Sequence, residues 1–321
     1  MSSVDIKITD DLINNLGDDL EPLQNRSKYA NIPPRSKASN SKGGEVEFLS
    51  NAIPEIDGAT GKDGNLSVHI NTKQFHNTPS VRFWWPGKKK FERCELADIL
   101  FLITYVEDNE VVGRRTMLSQ TKYTYDNKYV TQRQWDPKPN QYHLLHTLQK
   151  FYPVQPNLGE WYDLERESSA FSNYSFVSDF WLPFFHSTDG MDGGYINYNP
   201  EQTADYHYER TEDPPSGYQS FIGYLKLFVR GQYGEEYRPN DRIGQFYRDL
   251  FNSNTEFNLS DSSNQIPDSE TLRADGGEQS LEEKEGGIGL VNIVVTEGYP
   301  DTDTPGKKLH LGGELEYTIG E

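Results

Sequence analysis

The chain has a single cysteine, Cys94, among 321 residues, so no disulfide framework can brace it. A reducing compartment is the simplest setting for such a chain. It also lacks any apolar run near the roughly 20 residues that a spanning helix needs. The segment from Met1 to Glu21 has no basic-then-apolar leader pattern. A cytoplasmic protein with no membrane partner is therefore expected. Positive charge is scarce as well: 31 Lys and Arg face 50 Asp and Glu, a formal charge of −19. That balance argues against a general nucleic-acid coat, which needs a basic surface. No Gly-rich phosphate loop, G-x-S-x-G elbow or CxxC pair occurs. Kinase, P-loop, hydrolase-elbow and zinc-ribbon chemistries are set aside on that ground.

What is present is enough apolar material for a core, 34% hydrophobic and 13% aromatic residues. The charge is unevenly spread. Lys88, Lys89, Lys90 and Arg93 form one basic cluster and Arg114-Arg115 another, whereas residues 252–285 are nearly all acidic or polar. The expected organisation is an N-terminal helix and linker over 1–42, a core over 43–155 and an aromatic-rich α+β extension over 156–253. A disordered acidic segment over 254–287 and C-terminal strands over 288–321 complete it.

Within the core, Val46, Leu49 and Ile53 recur at helical spacing and predict a helix over 44–53, stopped by Pro54. Short strands are expected over 66–70 and 81–85, with a turn at Pro86-Gly87. Residues 97–106, ADILFLITYV, are apolar almost throughout, which suits a strand buried on both faces. A polar turn and a second strand over 114–123 follow. Helices are expected over 141–151, 218–230 and 241–251, and strands over 288–296 and 315–319, the last two pairing with each other.

The two central strands read as a hairpin. With its turn near Glu110, facing residues sum to about 220, which sets Asp98 opposite Lys122. Gln120 and Lys122 are two apart and share a face, and an even register sum brings Asp98 onto it. Hydrolysis of a phosphodiester uses such groups. A divalent ion polarises the phosphate and activates a water. Mg²⁺ takes one or two carboxylates with neutral oxygens and waters. Asp98 supplies the carboxylate, the Gln120 amide or Thr121 carbonyl a neutral ligand, and Lys122 a charge for the water or the developing phosphorane. A second carboxylate is expected from the preceding helix. Glu45 leans inward with Leu49 and ranks ahead of Glu47; Glu95 is a further candidate.

At these residues the sequence resembles the PD-(D/E)XK nuclease superfamily, and within it Mrr-like restriction endonucleases that carry Gln at one acidic position. The matching text is Glu-Leu-Ala-Asp at 95–98, an apolar strand, then Leu-Ser-Gln-Thr-Lys at 118–122. The resemblance covers residues 43–152 or so. It departs from the family at Ala97, where proline is frequent, and at Gln120, which carries no charge. It implies a mixed α/β sheet flanked by helices, a restriction-endonuclease-like core with a C-terminal α+β extension. It implies Asp98, Gln120 and Glu45 or Glu47 as ligands of Mg²⁺ or Mn²⁺ and Lys122 as catalytic lysine. DNA is the implied partner, in a restriction or anti-phage role, and a homodimer or a defence-system protein stays open as a further partner. A catalytically inactive nuclease-like scaffold is the alternative.

Other features carry blander readings beside functional ones. Trp84-Trp85 before Lys88, Lys89 and Lys90 could stack bases and hold phosphates, or fill a core edge. Trp84 and the three lysines are the expected nucleic-acid contacts. His143 and His146 lie on adjacent helical turns, as zinc ligands do, but no third ligand type is near, so a packing or surface role is expected. Gln141, beside them, could approach the hairpin site. Asp189 and Asp192 lack the spacing of an EF-hand and read as a Gly-rich turn. The Tyr-rich span 195–224 is expected to be a mixed subdomain with half-buried tyrosines rather than a sugar- or peptide-binding surface. Cys94 reads as a small buried apolar residue.

Overall fold

The computed structural model describes residues 6–25, 53–75, 80–108, 110–124, 138–154, 161–164, 171–178, 184–187, 219–238, 240–253, 288–298, 308–311 and 315–318. The expected helix over 44–53, with Glu45 and Glu47, lies outside them apart from Ile53, as do Asp189, Asp192 and most of the Tyr-rich span.

In chain order, α1 (Asp10–Asn25) precedes β1 (Thr60–Asp63), β2 (Leu66–Phe75), β3 (Ser80–Trp85) and β4 (Lys90–Glu95). The central hairpin is β5 (Ile99–Glu107) and β6 (Glu110–Thr124), followed by α2 (Pro139–Thr147), β7 (Phe151–Pro153), β8 (Ser172–Ser178) and β9 (Phe184–Ser187). The remainder is β10 (Gln219–Ser220), α3 (Phe221–Val229), β11 (Glu235–Glu236), α4 (Arg242–Ser253), β12 (Ile288–Glu297), β13 (Lys308–Leu311) and β14 (Leu315–Thr318).

β5 is apolar throughout because both of its faces are covered. Eight of its nine residues are buried and only Glu107 is exposed. It is the middle of a nine-stranded mixed sheet ordered β1-β2-β12-β5-β6-β8-β9-β10, with β11 also on β6. β12 inserts between β2 and β5, antiparallel to the first and parallel to the second. β6 runs antiparallel to β5 and parallel to β8, and α2 lies in the connection between β6 and β8. This is the expected mixed α/β sheet. One expectation is corrected: residues 315–318 pair with β13, not with β12, whose two edges are already taken. A second sheet, β4-β3-β7, was anticipated only at β3, since in sequence residues 90–95 fall in no expected element and residue 151 at the end of an expected helix.

Alternation along β5 splits the core in two. Ile99, Phe101, Ile103 and Tyr105 face a layer built by α1 and α3. Leu100 and Leu102 face the other side, where Leu118 joins them under the inner residues of β3, Val81, Phe83 and Trp85. The first layer fits closely. α1 buries Leu12, Ile13, Leu16 and Leu20 on one stripe, and Thr9 caps it by accepting the Leu12 N–H at 3.1 Å. A Cβ at Gly61 of β1 would meet the Leu12 carbonyl oxygen at 2.9 Å, so only glycine allows that helix and strand to touch.

Candidate functional site

The hairpin register decides which side chains meet. Ile99 faces Ser119, a sum of 218, which sets Asp98 across from Gln120 rather than Lys122. Two departures from a simple hairpin combine here. Glu107 faces Glu110, so the turn comes earlier than expected. A bulge between Tyr105 and Val106, where Gly113 and Val111 are the successive partners, then adds one residue on β6. Without the bulge the sum would be odd, and Asp98 would share the face of Ser119 and Thr121. With it, Asp98, Gln120 and Lys122 occupy one face, together with Leu100 and Leu118.

Asp98 sits where the ladder ends. Its N–H donates to the Ser119 carbonyl at 2.9 Å, and its own carbonyl accepts from Gly289 of β12 at 2.8 Å. Its carboxylate then takes over from the main chain. Oδ2 accepts the Thr121 N–H at 2.7 Å and also a hydrogen bond from Gln120 Nε2. Behind Gln120 stands Gln141 of α2, whose Nε2 donates to Gln120 Oε1 at 2.5 Å and to the Glu95 carbonyl at 3.0 Å. This chain sets the amide orientations. The Glu95 carbonyl can only accept, so Gln141 turns its nitrogen inward. Gln120 must then offer it oxygen, which leaves the Gln120 nitrogen for Asp98.

Asp98 is 6% exposed and Lys122 8%. They are the buried Asp, Glu, Lys and Arg side chains of the described residues, and both belong to this end of the hairpin. Buried charges are rare in folded proteins, and they concentrate where chemistry is done. The charge of Lys122 is felt at Cys94, whose thiol is nonetheless pushed up to about 12, chiefly by burial and then by Glu95. Cys94 is thus a protonated, partly buried packing residue of β4.

The donor set is hard oxygen: the Asp98 carboxylate and amide oxygens, with Gln141 Oε1 buried and lacking a hydrogen-bond partner among the described residues. That suits Mg²⁺ or Mn²⁺ in kind. The described residues hold no group of three His, Cys, Asp or Glu side chains able to cage a metal. Thr121 meets Asp98 through its N–H, a contact that nothing in the residue type reveals.

The remaining candidates separate. His143 is buried against Phe83, ring centroids 6.1 Å apart, and His146 stacks on Tyr142 at 5.5 Å, so both pack. Trp85 enters the core, with Lys88 Nζ 4.9 Å over its ring, while Trp84 stays exposed. Lys88 and Lys90 pair with Glu92 at 3.7 and 3.1 Å, which offsets their charge. Tyr224, at the end of the Tyr-rich span, is buried and accepts from Asn173 Nδ2 at 3.0 Å. No protein-family model, curated protein or solved structure matches the chain.

Proposed function

We propose that the chain is a metal-dependent nuclease that hydrolyses phosphodiester bonds of DNA, on a restriction-endonuclease-like core, in restriction or anti-phage defence. One observation carries the reading: the buried carboxylate Asp98 and the buried amine Lys122 lie on the same face at the open end of one hairpin. The connectivity supports it too, since the hairpin is followed by α2, which delivers Gln141 to the site, and by β8 parallel to β6.

In this reading Asp98, with Glu45 or Glu47, would hold Mg²⁺ or Mn²⁺, and Gln120 would join them by giving up its bond from Gln141 and turning its oxygen to the ion. When bound, the ion polarises the phosphate and lowers the pKa of a water. Lys122 orients that water and offsets charge developing on the phosphate. Gln141 fixes which end of the Gln120 amide meets Asp98. The low exposure of Asp98 and Lys122 excludes bulk water and strengthens their electrostatic effect.

Incubation of plasmid DNA with the purified protein tests this. Cutting is expected with Mg²⁺ or Mn²⁺ and not with chelator. Lys122→Ala and Asp98→Asn should each slow it by about 100-fold or more. Cutting that survives chelation, or is unchanged in Lys122→Ala, overturns the assignment. A second reading, a nuclease-like scaffold without catalysis, is favoured by the amide orientation. Gln120 turns its nitrogen, not its oxygen, toward Asp98 and so occupies the carboxylate. DNA bound but never cut, with either metal, would establish it.

A further inference from the structure

The second sheet has one face in the core and one in solvent. Val81, Phe83 and Trp85 of β3 are buried, so Arg82 and Trp84 point outward. On β4, Phe91, Arg93 and Glu95 point the same way. Trp84 faces Phe91 across the strand pair and Arg82 faces Tyr152 of β7. Beyond β7, Phe151 bridges Tyr162, which brings Trp161 beside Tyr152 on the outer face.

That face is built of aromatic rings and cations, with one carboxylate, Glu95, at the end of β4. The exposed large hydrophobics of the described residues are Trp84 at 45%, Phe91 at 50% and Trp161 at 44%, and all three are here. Trp84 meets Phe91 edge-on at 5.6 Å, and Phe91 meets Tyr152 at 5.9 Å. Cations are threaded between them: Arg82 lies 5.9 Å above the Phe91 ring and Lys150 3.6 Å above that of Trp161. Unlike Lys88 and Lys90, the cations Arg82, Arg93 and Lys150 make no ion pair with an acid among the described residues. Clustered exposed aromatics mark an interaction surface. On a chain of net charge −19, an aromatic face carrying unneutralised cations is complementary to a polyanion with flat apolar faces.

We infer that this outer face is a stacking platform for single-stranded nucleic acid. Unpaired bases lie on Trp84, Phe91 and Trp161, and phosphates meet Arg82, Arg93 and Lys150. A duplex hides its base faces and cannot use such a platform. An uncharged glycan could stack on the rings but would leave the cations unmatched. The platform leads to the hairpin site. β4 runs from Phe91 to Glu95, about 13 Å at strand rise, and the Glu95 carbonyl accepts from Gln141. The inference names unpaired strands as the substrate class of the proposed nuclease, and rests on that reading only for its link to cleavage.

Fluorescence anisotropy in chelator, with the full chain, tests it without cutting. The probes are a labelled oligo(dT), an oligo(U) of equal length and a duplex of equal length, with heparin as a polyanion that has no bases. Oligo(dT) or oligo(U) should bind more tightly than duplex, the preferred one identifying DNA or RNA. Trp84→Ala, Phe91→Ala and Trp161→Ala should each weaken binding about 5-fold or more. Three phosphate contacts give a salt slope of about −2. Binding of heparin as strong as of oligonucleotide, or aromatic variants that bind like wild type, overturns the platform. Strand binding by a protein that never cuts removes the nuclease and leaves the platform. Metal-dependent cutting with aromatic variants unchanged in binding removes the platform and leaves the nuclease.

Discussion

The two sheets treat polar groups in opposite ways. The large sheet is covered on both faces, and several of its buried polar groups bond to one another. Thr116 Oγ1 donates to the Phe101 carbonyl at 3.1 Å and meets Tyr247 at 2.5 Å, and Thr121 meets Ser175 at 2.8 Å. The small sheet leaves one face to water and sets bare cations among exposed rings. A hydrogen-bonded polar cluster is therefore ordinary in the large sheet, because an unmet polar group there is costly. The Asp98 cluster stands out by its ionisable members, not by its bonding. The Tyr247 hydroxyl that meets Thr116 is held protonated, its pKa raised well above the ordinary value chiefly by burial, with Tyr237 and Asp241 adding to the rise.

Within the hairpin site, removing Asp98 gives the largest expected effect. Asp98→Ala strands two buried donors, Gln120 Nε2 and the Thr121 N–H. It should cost about 3 kcal/mol, read from urea unfolding. Asp98→Asn, which keeps an acceptor, should cost less, about 1–2 kcal/mol, yet abolish cutting as fully as the alanine. A loss of activity that simply tracks the loss of stability across the two variants would mean that Asp98 is a ladder cap like any other buried polar group.

The next effect separates a buried titrating group from the neutral clusters. Burial, and then His146, lowers the pKa of His143 from 6.5 to about 4. A base whose folded pKa is depressed binds its proton more readily when unfolded. Its full contribution is present above pH 6.5 or so and is lost as pH falls toward 4. Between pH 7 and 5 that amounts to about 2 kcal/mol. His143→Gln should flatten the pH dependence of urea midpoints over that interval. An unchanged slope would show that His143 is not what titrates.

Much of the site end of the large sheet could be read in sequence, whereas of the small sheet only β3 could. β5 announces itself by eight consecutive buried positions. Parity, the property that gathers Asp98, Gln120 and Lys122, came out right because an early turn and a bulge offset each other, and neither is visible in residue type. The place of β12 between β2 and β5 is a long-range choice with no local signal. β4, KFERCE, looks like a charged turn, since its inward positions are Glu92 and Cys94 instead of large aliphatics. Its alternation was the available clue: Phe91, Arg93 and Glu95 are two apart, one face of a strand. Gln141 was within reach of sequence reasoning, whereas its bond to the Glu95 carbonyl requires the fold.

The smallest effect is the sharpest test of the contrast. Trp84 and Trp85 are adjacent and identical in type, yet one lies on the outer face and the other in the core. Trp85→Ala empties a core position and should cost about 3–5 kcal/mol. Trp84→Ala loses little more than its edge contact with Phe91, about 0.5–1 kcal/mol. If the exposed ring belonged to the packing of the small sheet, the two costs would converge in thermal melts. If it is there for a ligand, the protein should melt nearly unchanged while strand binding falls.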